Sequence, residues 1–368
     1  MALQGKGFYL WKVSKCENGN PTAVASTAKI AGLTHLFVKI ADGTDDYNGD
    51  IDFPNIDMNT ALFQALRAAG LQVWGWHYIY GRNPVAEANA AIRRIRQFNV
   101  DGYVIDAESQ FDKPGMNAAA AQFMGTLRAS VHDIPVGLSS YRYPSKHKDF
   151  PWNEFISKCD VALPQVYWML NHNPGQQLTW TQQDYQKAAP GLTFFPTGAA
   201  YREGGWQPTI SDVQEYLNTA KAMNLSGTTF WEWSDARSSI MPGIWDAISG
   251  FPWPGTPVDI TQRLFAALNA HDPDQATALF APNGVHIFGG GAMIAGPAAI
   301  RQWYVDLFNS LLPNAIFTIT GTLGSGTTRH LLWTATGQGV KVLNGEMTLN
   351  LINDQIVYMS DVFNITPA

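Results

Sequence analysis

The stretch Val100-Asp101-Gly102-Tyr103-Val104-Ile105-Asp106-Ala107-Glu108 predicts a short buried strand that ends in two carboxylates. Side chains alternate along a strand, so Asp106 and Glu108 point to the same side. Two neighbouring acids push at least one pKa upward, which is typical of acid/base chemistry. An isolated pair of this kind suits a solvated loop equally well. The position of this strand in a repeating pattern favours the functional interpretation.

Strand-like runs alternate with helix-like runs from residue 7 to about residue 251. The predicted strands are 7–13, 35–41, 72–80, 102–108, 135–141, 161–168, 194–200 and 228–233, and the helices between them include 58–69, 85–98, 116–130, 182–188 and 211–223. Eight such units predict an α/β fold, a (β/α)8 TIM barrel. The alternative is an open doubly wound sheet. No Gly-rich phosphate turn follows the first strand, where Trp11-Lys12-Val13-Ser14-Lys15 stands instead.

A Pro- and Gly-rich segment, Phe251-Pro252-Trp253-Pro254-Gly255-Thr256-Pro257, predicts a linker at 252–257 between a barrel at 1–251 and a second domain at 258–368. In the second domain the helices come first and the strands follow. The predicted helices are 259–270, 273–280 and 297–311, and the predicted strands are 315–323, 329–337, 345–352 and 355–363. This order is typical of an α+β domain.

Composition excludes several classes of function. The formal net charge is −6 and no basic run occurs, so we expect no nucleic-acid partner. No window of 18 apolar residues occurs, so we expect no membrane partner. The eight histidines lack metal-site spacing, and we expect no metal and no cofactor. No signal peptide is visible at the start of the sequence, and the compartment stays open, with an extracellular or cell-surface location favoured for a cell-wall substrate.

Polar and aromatic residues gather where the predicted barrel strands end. The active site of such a barrel lies at the C-terminal ends of its strands. The candidates for substrate binding there are Asp42, Tyr78, Tyr141, Gln165, Tyr167, Trp231 and Glu232. Aromatic faces stack on sugar rings, while carboxylates and amides bind hydroxyl groups. Each residue could also simply begin a loop; together they predict a carbohydrate site.

An ordered set of motifs resembles the family 25 glycoside hydrolases, the lysozymes that cut peptidoglycan. The motifs are Phe37-Val38-Lys39-Ile40-Ala41-Asp42-Gly43, Ala69-Gly70-Leu71-Gln72-Val73-Trp74-Gly75-Trp76-His77-Tyr78, the Asp106/Glu108 pair, Gly137-Leu138-Ser139-Ser140-Tyr141 and Trp231-Glu232-Trp233-Ser234. The set spans about 240 residues, a length that fits one barrel. The resemblance implies a cell-wall glycan as substrate.

The fourth predicted strand is also similar to the family 18 chitinase signature D-G-x-D-x-D-x-E. Asp101, Gly102, Asp106 and Glu108 match it, while Val104 stands where an acid is expected. Both families act on N-acetylated sugars. The resemblance implies Glu108 as the general acid and Asp106 as the residue that orients a substrate acetamido group, which then acts as the internal nucleophile.

Two departures from these families keep a second function open. The first strand, Gly7-Phe8-Tyr9-Leu10-Trp11, has no acid where family 25 carries Asp, and Glu232 stands where Gln is usual. The favoured function is hydrolysis of an N-acetylhexosamine-containing glycan such as peptidoglycan. The alternative is a non-catalytic glycan-binding protein on a decayed hydrolase barrel. A Glu232 carboxylate that faces Glu108 would favour catalysis, and one that faces the helices would favour binding.

The second domain resembles the nuclear transport factor 2-like superfamily, in its polyketide-cyclase-like branch. The matching segments are 264–272, 279–285, 296–300 and 355–361. The resemblance implies a cone-shaped α+β domain whose sheet pairs two protomers, hence a homodimer through residues 315–363. Candidates inside the cone are His286, His330, Tyr304 and Asp361; the alternative is an inert core. Deleting residues 256–368 is expected to leave a folded, monomeric barrel.

Overall fold

A computed structural model describes residues 2–254, 259–289, 291–324 and 327–367. Residues 255–257 of the predicted linker lie outside the described residues. The contacts divide the chain into two compact units. The first unit comprises residues 2–21 and 33–254, and the second comprises residues 22–32 and 259–367. The second unit therefore includes a segment that comes from the barrel part of the sequence.

The first unit contains a closed barrel of parallel strands. In chain order these are Gly5–Leu10, Leu33–Asp42, Gln72–Ile79, Gly102–Ala107, Val136–Tyr141, Val161–Val166, Thr197–Ala199 and Gly227–Trp231. The strand Gly5–Leu10 pairs with both Leu33–Asp42 and Gly227–Trp231, so the sheet has no open end. The eight predicted strands are confirmed, and closure excludes the open-sheet alternative.

The seventh predicted strand is divided. Thr193–Phe194 and Thr197–Ala199 both pair with Val161–Val166, with Pro196 between them. Proline has no backbone N–H for a strand ladder, which accounts for the interruption. A further short strand, Asp45–Asp46, pairs antiparallel with the end of Leu33–Asp42.

Helices follow the barrel strands along the chain. In the first unit they are Asn59–Ala68, Pro84–Phe98, Asn117–Ser130, Trp152–Ile156, Pro174–Ala188, Ile210–Ala222, Trp233–Ala236 and Ile244–Ser249. The helix Pro174–Ala188 begins before the predicted start at residue 182. Its first turns are rich in Gln and Thr, which weakens the apolar period, but Pro174 at the first position favours a helix start.

Aromatic side chains fill the interior of the barrel. Tyr9 contacts Phe37 edge-to-face, with ring centroids 4.9 Å apart, and Phe37 packs on Trp74 at 5.7 Å. Trp76 belongs to the same buried cluster, which the partly buried rings of Tyr78 and Trp231 extend. Because this packing closes the middle of the barrel, space for a ligand remains at the C-terminal ends of the strands.

The second unit is an α+β domain, as the sequence predicts. Its helices are Pro21–Ile30, Ile260–Asn269, Pro273–Ala278 and Pro297–Asp306, and its strands are Phe280–Phe288, Ala292–Ala295, Ile316–Leu323, Thr328–Thr336, Val340–Ile352, Gln355–Val362 and Thr366–Pro367. The strands Phe280–Phe288 and Ala292–Ala295 were not predicted, because Pro282-Asn283-Gly284 interrupts the alternation.

The helix Pro21–Ile30 completes the core of the second unit. Ile30 is buried among the apolar side chains of that core, and Thr27 Oγ1 lies 3.1 Å from Thr322 Oγ1. The second unit therefore depends on a segment that precedes the second barrel strand in sequence.

Candidate functional site

A cavity of about 650 Å³ opens at the C-terminal ends of the barrel strands. Its wall is formed by Tyr9, Trp11, Lys12, Asp106, Glu108, Ser139, Gln165, Tyr167, Met169, Tyr201, Arg202, Glu203, Trp231, Glu232, Ser234 and Asp235. This volume falls in the range of small-ligand sites. Six of the nine predicted site residues belong to the wall.

One amide nitrogen joins the two predicted acids. Asp106 lies near the end of the strand Gly102–Ala107, Glu108 follows it, and Gln165 lies on the strand Val161–Val166. Gln165 Nε2 lies 2.7 Å from Glu108 Oε1 and 3.2 Å from Asp106 Oδ1. Both carboxylates are therefore within reach of a single donor, and they lie side by side as the strand period predicts.

Burial raises the pKa of Asp106 well above its usual range, and the neighbouring charge of Glu108 raises it further. Lys39 and hydrogen bonds from Ser139 and Gln165 oppose this shift. Asp106 is 5% exposed, whereas Glu108 is half-buried at the cavity wall. Asp106 therefore keeps its proton under conditions in which an isolated aspartate is ionised.

Two tyrosines flank the acids. Burial raises the pKa values of Tyr9 and Tyr167 above the usual tyrosine range, and the charge of Asp106 adds to both shifts. Both side chains are therefore neutral hydroxyl groups. Tyr9 is not among the predicted site residues, because the family resemblance calls for an acid in the first strand and Tyr9 matches no motif. Its place next to the last residue of the strand Gly5–Leu10, at the C-terminal end, is the signal that would have found it.

An aromatic wall lies beside the acids. The rings of Trp11 and Trp231 stack with centroids 6.1 Å apart and planes inclined by 30°. Trp231 also contacts Tyr9 at 5.5 Å and Trp76 at 5.4 Å, both edge-to-face. Trp11 is 40% exposed. An exposed indole, backed by further rings at the wall of a polar cavity, is suited to the apolar face of a sugar.

Glu232 lines the cavity, but its carboxylate caps a helix. It accepts hydrogen bonds from Ser234 Oγ at 2.5 Å and from the backbone N–H of Asp235 at 3.1 Å, at the start of the helix Trp233–Ala236. Burial raises its pKa. These contacts give Glu232 a local structural role at the cavity wall.

The other three predicted site residues are not in the wall of this cavity. Asp42 pairs with Lys39 at 2.6 Å and accepts from Tyr80 at 2.7 Å. Tyr78 donates to Gln110 Oε1 at 2.6 Å, and the Tyr141 ring stacks on His147 with centroids 3.5 Å apart.

Two of these three residues nevertheless lie within the electrostatic range of the acids. Burial raises the pKa of Tyr141 to about 12, with contributions from Asp112 and Glu108. Burial also raises the pKa of Tyr78, and Glu108 and Asp106 add to the shift. The charge of Glu108 therefore acts on Tyr78 and Tyr141, although neither residue belongs to the cavity wall.

A second group of titratable side chains lies inside the second unit. Neither ring nitrogen of the buried His286 has a hydrogen-bond partner among the described residues, and burial lowers its pKa to about 4. Burial raises the pKa of Asp361 to about 8. The rings of His286 and Tyr304 are stacked with centroids 6.5 Å apart. His330 is half-exposed and its Nδ1 lies 3.1 Å from Thr348 Oγ1. A neutral imidazole and a protonated carboxyl group are thus buried in the same interior.

Within the described ranges, no group of three or more His, Cys, Asp and Glu side chains could hold a metal ion. No described helix is both long enough and apolar enough to cross a bilayer. Cys16 and Cys159 are buried free thiols.

Residues 261–359 match the model of the SnoaL-like domain family. This C-terminal part of the chain is therefore a SnoaL-like domain, which agrees with the polyketide-cyclase-like resemblance of the sequence. The whole chain is a mixed α/β protein with an eight-strand closed parallel barrel and this C-terminal domain. No curated protein matches the chain.

Three similar solved structures each match just over a quarter of the chain. A hypothetical protein with a ketosteroid isomerase-like fold from Catenulispora acidiphila is 22% identical, over 28% of this chain and 82% of its own, with a TM-score of 0.25. A nuclear transport factor 2-like protein of unknown function from Mesorhizobium loti is 21% identical, over 28% and 88%, with a TM-score of 0.25. A protein from Sphaerobacter thermophilus is 20% identical, over 29% and 94%, with a TM-score of 0.26.

Proposed function

We propose that the first unit is a (β/α)8 barrel of the glycoside hydrolase type and that it hydrolyses a glycan containing N-acetylhexosamine, such as peptidoglycan. The observation that carries the proposal is the amide bridge of Gln165 to Asp106 and Glu108 at the C-terminal rim. The barrel assignment is supported by the parallel closure of eight strands and by the helices that alternate with the strands along the first unit.

In this proposal Glu108 donates a proton to the glycosidic oxygen as the bond to the anomeric carbon breaks. Asp106 accepts a hydrogen bond from the acetamido N–H and orients the acetamido oxygen, which attacks the anomeric carbon and forms a cyclic intermediate. Glu108 then takes a proton from water as that water opens the ring. The raised pKa of Asp106 supports this scheme, because it keeps a proton at the site next to the residue proposed as the general acid.

In this proposal the other residues of the cavity wall bind the substrate. The Trp11 and Trp231 rings offer a stacking surface beside the acids. The neutral hydroxyl of Tyr167, which lines the same cavity, is a hydrogen-bond donor for a substrate oxygen. The stacking rings, the tyrosine hydroxyl group and the two acids therefore line one cavity, as the proposed function requires.

The second candidate function is glycan binding without hydrolysis. It is favoured by the cap that Glu232 makes on the helix Trp233–Ala236, because that carboxylate does not replace the acid missing from strand 1. The two functions are separated by incubating the full chain with peptidoglycan fragments and with N-acetylated chito-oligosaccharides. If the chain hydrolyses the glycan, new reducing ends appear. If it only binds the glycan, calorimetry detects the heat of binding and no product forms.

We also propose that the second unit pairs with a second copy of the chain through its sheet. The supporting observation is a set of exposed apolar side chains on neighbouring strands: Leu332, Leu343 and Val362 are 44%, 59% and 49% exposed. Light scattering should give a dimer mass at micromolar concentration, and Leu343→Glu should give a monomer, while Ile56→Glu on the first unit should not. A monomeric wild-type chain would contradict the proposed pairing.

A further inference from the structure

A second cavity, of about 440 Å³, lies on the first unit outside the wall of the acid-lined cavity. One side is the loop that follows the strand Val136–Tyr141, and the other is the helix Pro174–Ala188. The residues on which the inference rests are Arg142, Tyr143, Lys146, Trp180, Asp184 and Lys187.

The wall of this cavity carries uncompensated positive charge. Arg142, Lys146 and Lys187 form no ion pair within the described parts of the chain. The carboxylate in the wall, Asp184, already accepts a hydrogen bond from the backbone N–H of Ser145 at 2.9 Å. Three cations facing one engaged carboxylate favour an anionic ligand.

The same wall offers an aromatic face and an oriented guanidinium group. Trp180 is 46% exposed on the helix side. The Arg142 guanidinium lies over the Tyr143 ring, 5.1 Å from its centroid, and Tyr143 is held by a hydrogen bond to Gln177. These contacts fix the plane of the Arg142 guanidinium group, whose paired N–H donors match the two oxygen atoms of a carboxylate.

Arg142 also links this cavity to the site of the proposed chemistry. Its Nη1 donates a hydrogen bond to the carbonyl oxygen of Tyr167, whose side chain lines the acid-containing cavity. One N–H of the guanidinium is engaged in this way, and a guanidinium group has five. The guanidinium group makes no other hydrogen bond among the described residues, so its remaining N–H donors can bind a ligand in the second cavity.

We propose that the second cavity is a subsite for an acidic sugar residue, a pyranose that carries a carboxylate, on the glycan that enters the barrel. The sugar ring stacks on Trp180, and the carboxylate binds to Arg142, with Lys146 and Lys187 adding attraction. The inference rests on the proposed function to the extent that the barrel must take a glycan. It adds that this glycan is anionic.

The test compares two oligosaccharides of equal length by calorimetry. One is a hyaluronan tetrasaccharide, in which N-acetylglucosamine alternates with glucuronate, and the other is neutral tetra-N-acetylchitotetraose. We expect the acidic probe to bind about tenfold more tightly at low salt, and the advantage to shrink as salt screens the charges. Equal affinities, or an advantage insensitive to salt, would overturn the inference.

The variants are Trp180→Ala and the double substitution Lys146→Gln with Lys187→Gln, all at exposed positions. The double substitution should weaken the acidic probe about tenfold and leave the neutral probe unchanged, and Trp180→Ala should also weaken the acidic probe about tenfold. Lys148→Gln, an exposed neighbour outside this wall, is the matched control. Unchanged binding of the acidic probe to the double variant would overturn the inference. So would acetate or phosphate binding as tightly as the oligosaccharide, because that result means an anion site without sugar recognition.

Glu108→Gln separates this inference from the proposed hydrolysis, since the subsite does not involve Glu108. We expect this variant to retain the preference for the acidic probe. A wild-type chain that prefers the acidic probe but releases no product would contradict hydrolysis and support the subsite. A chain that hydrolyses glycans without that preference would contradict the subsite alone.

Discussion

Gln165 donates a hydrogen bond from Nε2 to Glu108 Oε1 at 2.7 Å, although the two residues are 57 positions apart in the chain. The same nitrogen lies 3.2 Å from Asp106 Oδ1. A neutral amide thus holds two neighbouring carboxyl groups in one orientation. The rest of the proposed chemistry depends on that orientation.

Removing the bridge should impair the acid pair without unfolding the barrel. In Gln165→Ala the two carboxylates lose their common donor, so we expect turnover to fall by about 10- to 100-fold, with a smaller change in KM. Steady-state kinetics on an N-acetylated oligosaccharide measure kcat and KM. Gln186→Ala, at an exposed position on the helix Pro174–Ala188, is the control. Equal loss of turnover in both variants would contradict a positioning role for Gln165.

The aromatic wall should contribute to binding rather than to chemistry. Trp11→Ala removes an exposed ring that stacks on Trp231, so we expect KM to rise about tenfold with kcat nearly unchanged. The control is Ile240→Ala, which truncates another exposed apolar side chain of the first unit. A fall in kcat at constant KM would show that Trp11 acts on the reaction and not on the ground-state complex.

The sequence predicted the barrel more completely than the site. Buried parallel strands are short apolar runs, so all eight could be recognised. The strand Phe280–Phe288 was missed because Pro282 and Gly284 interrupt its alternation. At the rim, strand order placed Gln165 and Glu108 on the same edge, but a contact between residues so distant in sequence needs the three-dimensional register. The cap made by Glu232 was also hidden, since glutamate is not a preferred residue at a helix start.

The buried carboxyl group of the second unit should make stability depend on pH. Asp361 has a pKa of about 8 in the folded chain, raised by burial, so the unfolded chain loses this proton at lower pH. The second unit should therefore lose stability as pH rises from about 4 to 8. Asp361→Asn removes this titration and should raise the melting temperature of the second unit at pH 8 more than at pH 5. The corresponding difference in the free energy of unfolding between the two pH values should amount to a few kcal/mol, because a shift of one pKa unit is worth about 1.4 kcal/mol.

Calorimetric melting of the full chain at both pH values measures this effect. Glu346→Gln, which changes an exposed acid on a strand of the same sheet, is the matched control. Equal shifts at pH 5 and pH 8 in Asp361→Asn would contradict the assignment of the titration to Asp361.

The helix Pro21–Ile30 changes the expectation for a truncated chain. Because this helix packs in the core of the second unit, deleting residues 256–368 would leave Ile30 without its apolar neighbours. We expect the deletion to destabilise the remaining chain, not to leave an unaffected barrel. In the full chain, Ile30→Ala should lower the stability of the second unit by about 2–4 kcal/mol, because it opens a cavity in a packed core.

Denaturant unfolding, followed by limited proteolysis of the C-terminal part, measures that loss. Val85→Ala, at a side chain that is 45% exposed, provides the control and should change stability by less than about 0.5 kcal/mol. A second unit that unfolds at the same denaturant concentration in Ile30→Ala and in the wild type would contradict the structural role of this helix.

The proposed hydrolysis depends most on Glu108 as the general acid. The direct measurement is the initial rate at which reducing ends appear from an N-acetylated glycan, for the wild type, for Glu108→Gln and for Asp133→Asn. The last of these changes an exposed acid just before the strand Val136–Tyr141, at the end of the barrel opposite the cavity. We predict that Glu108→Gln lowers the rate by at least about 1,000-fold while its circular dichroism and melting curve match the wild type, and that Asp133→Asn keeps the full rate. A folded Glu108→Gln variant that retains the wild-type rate would contradict the account.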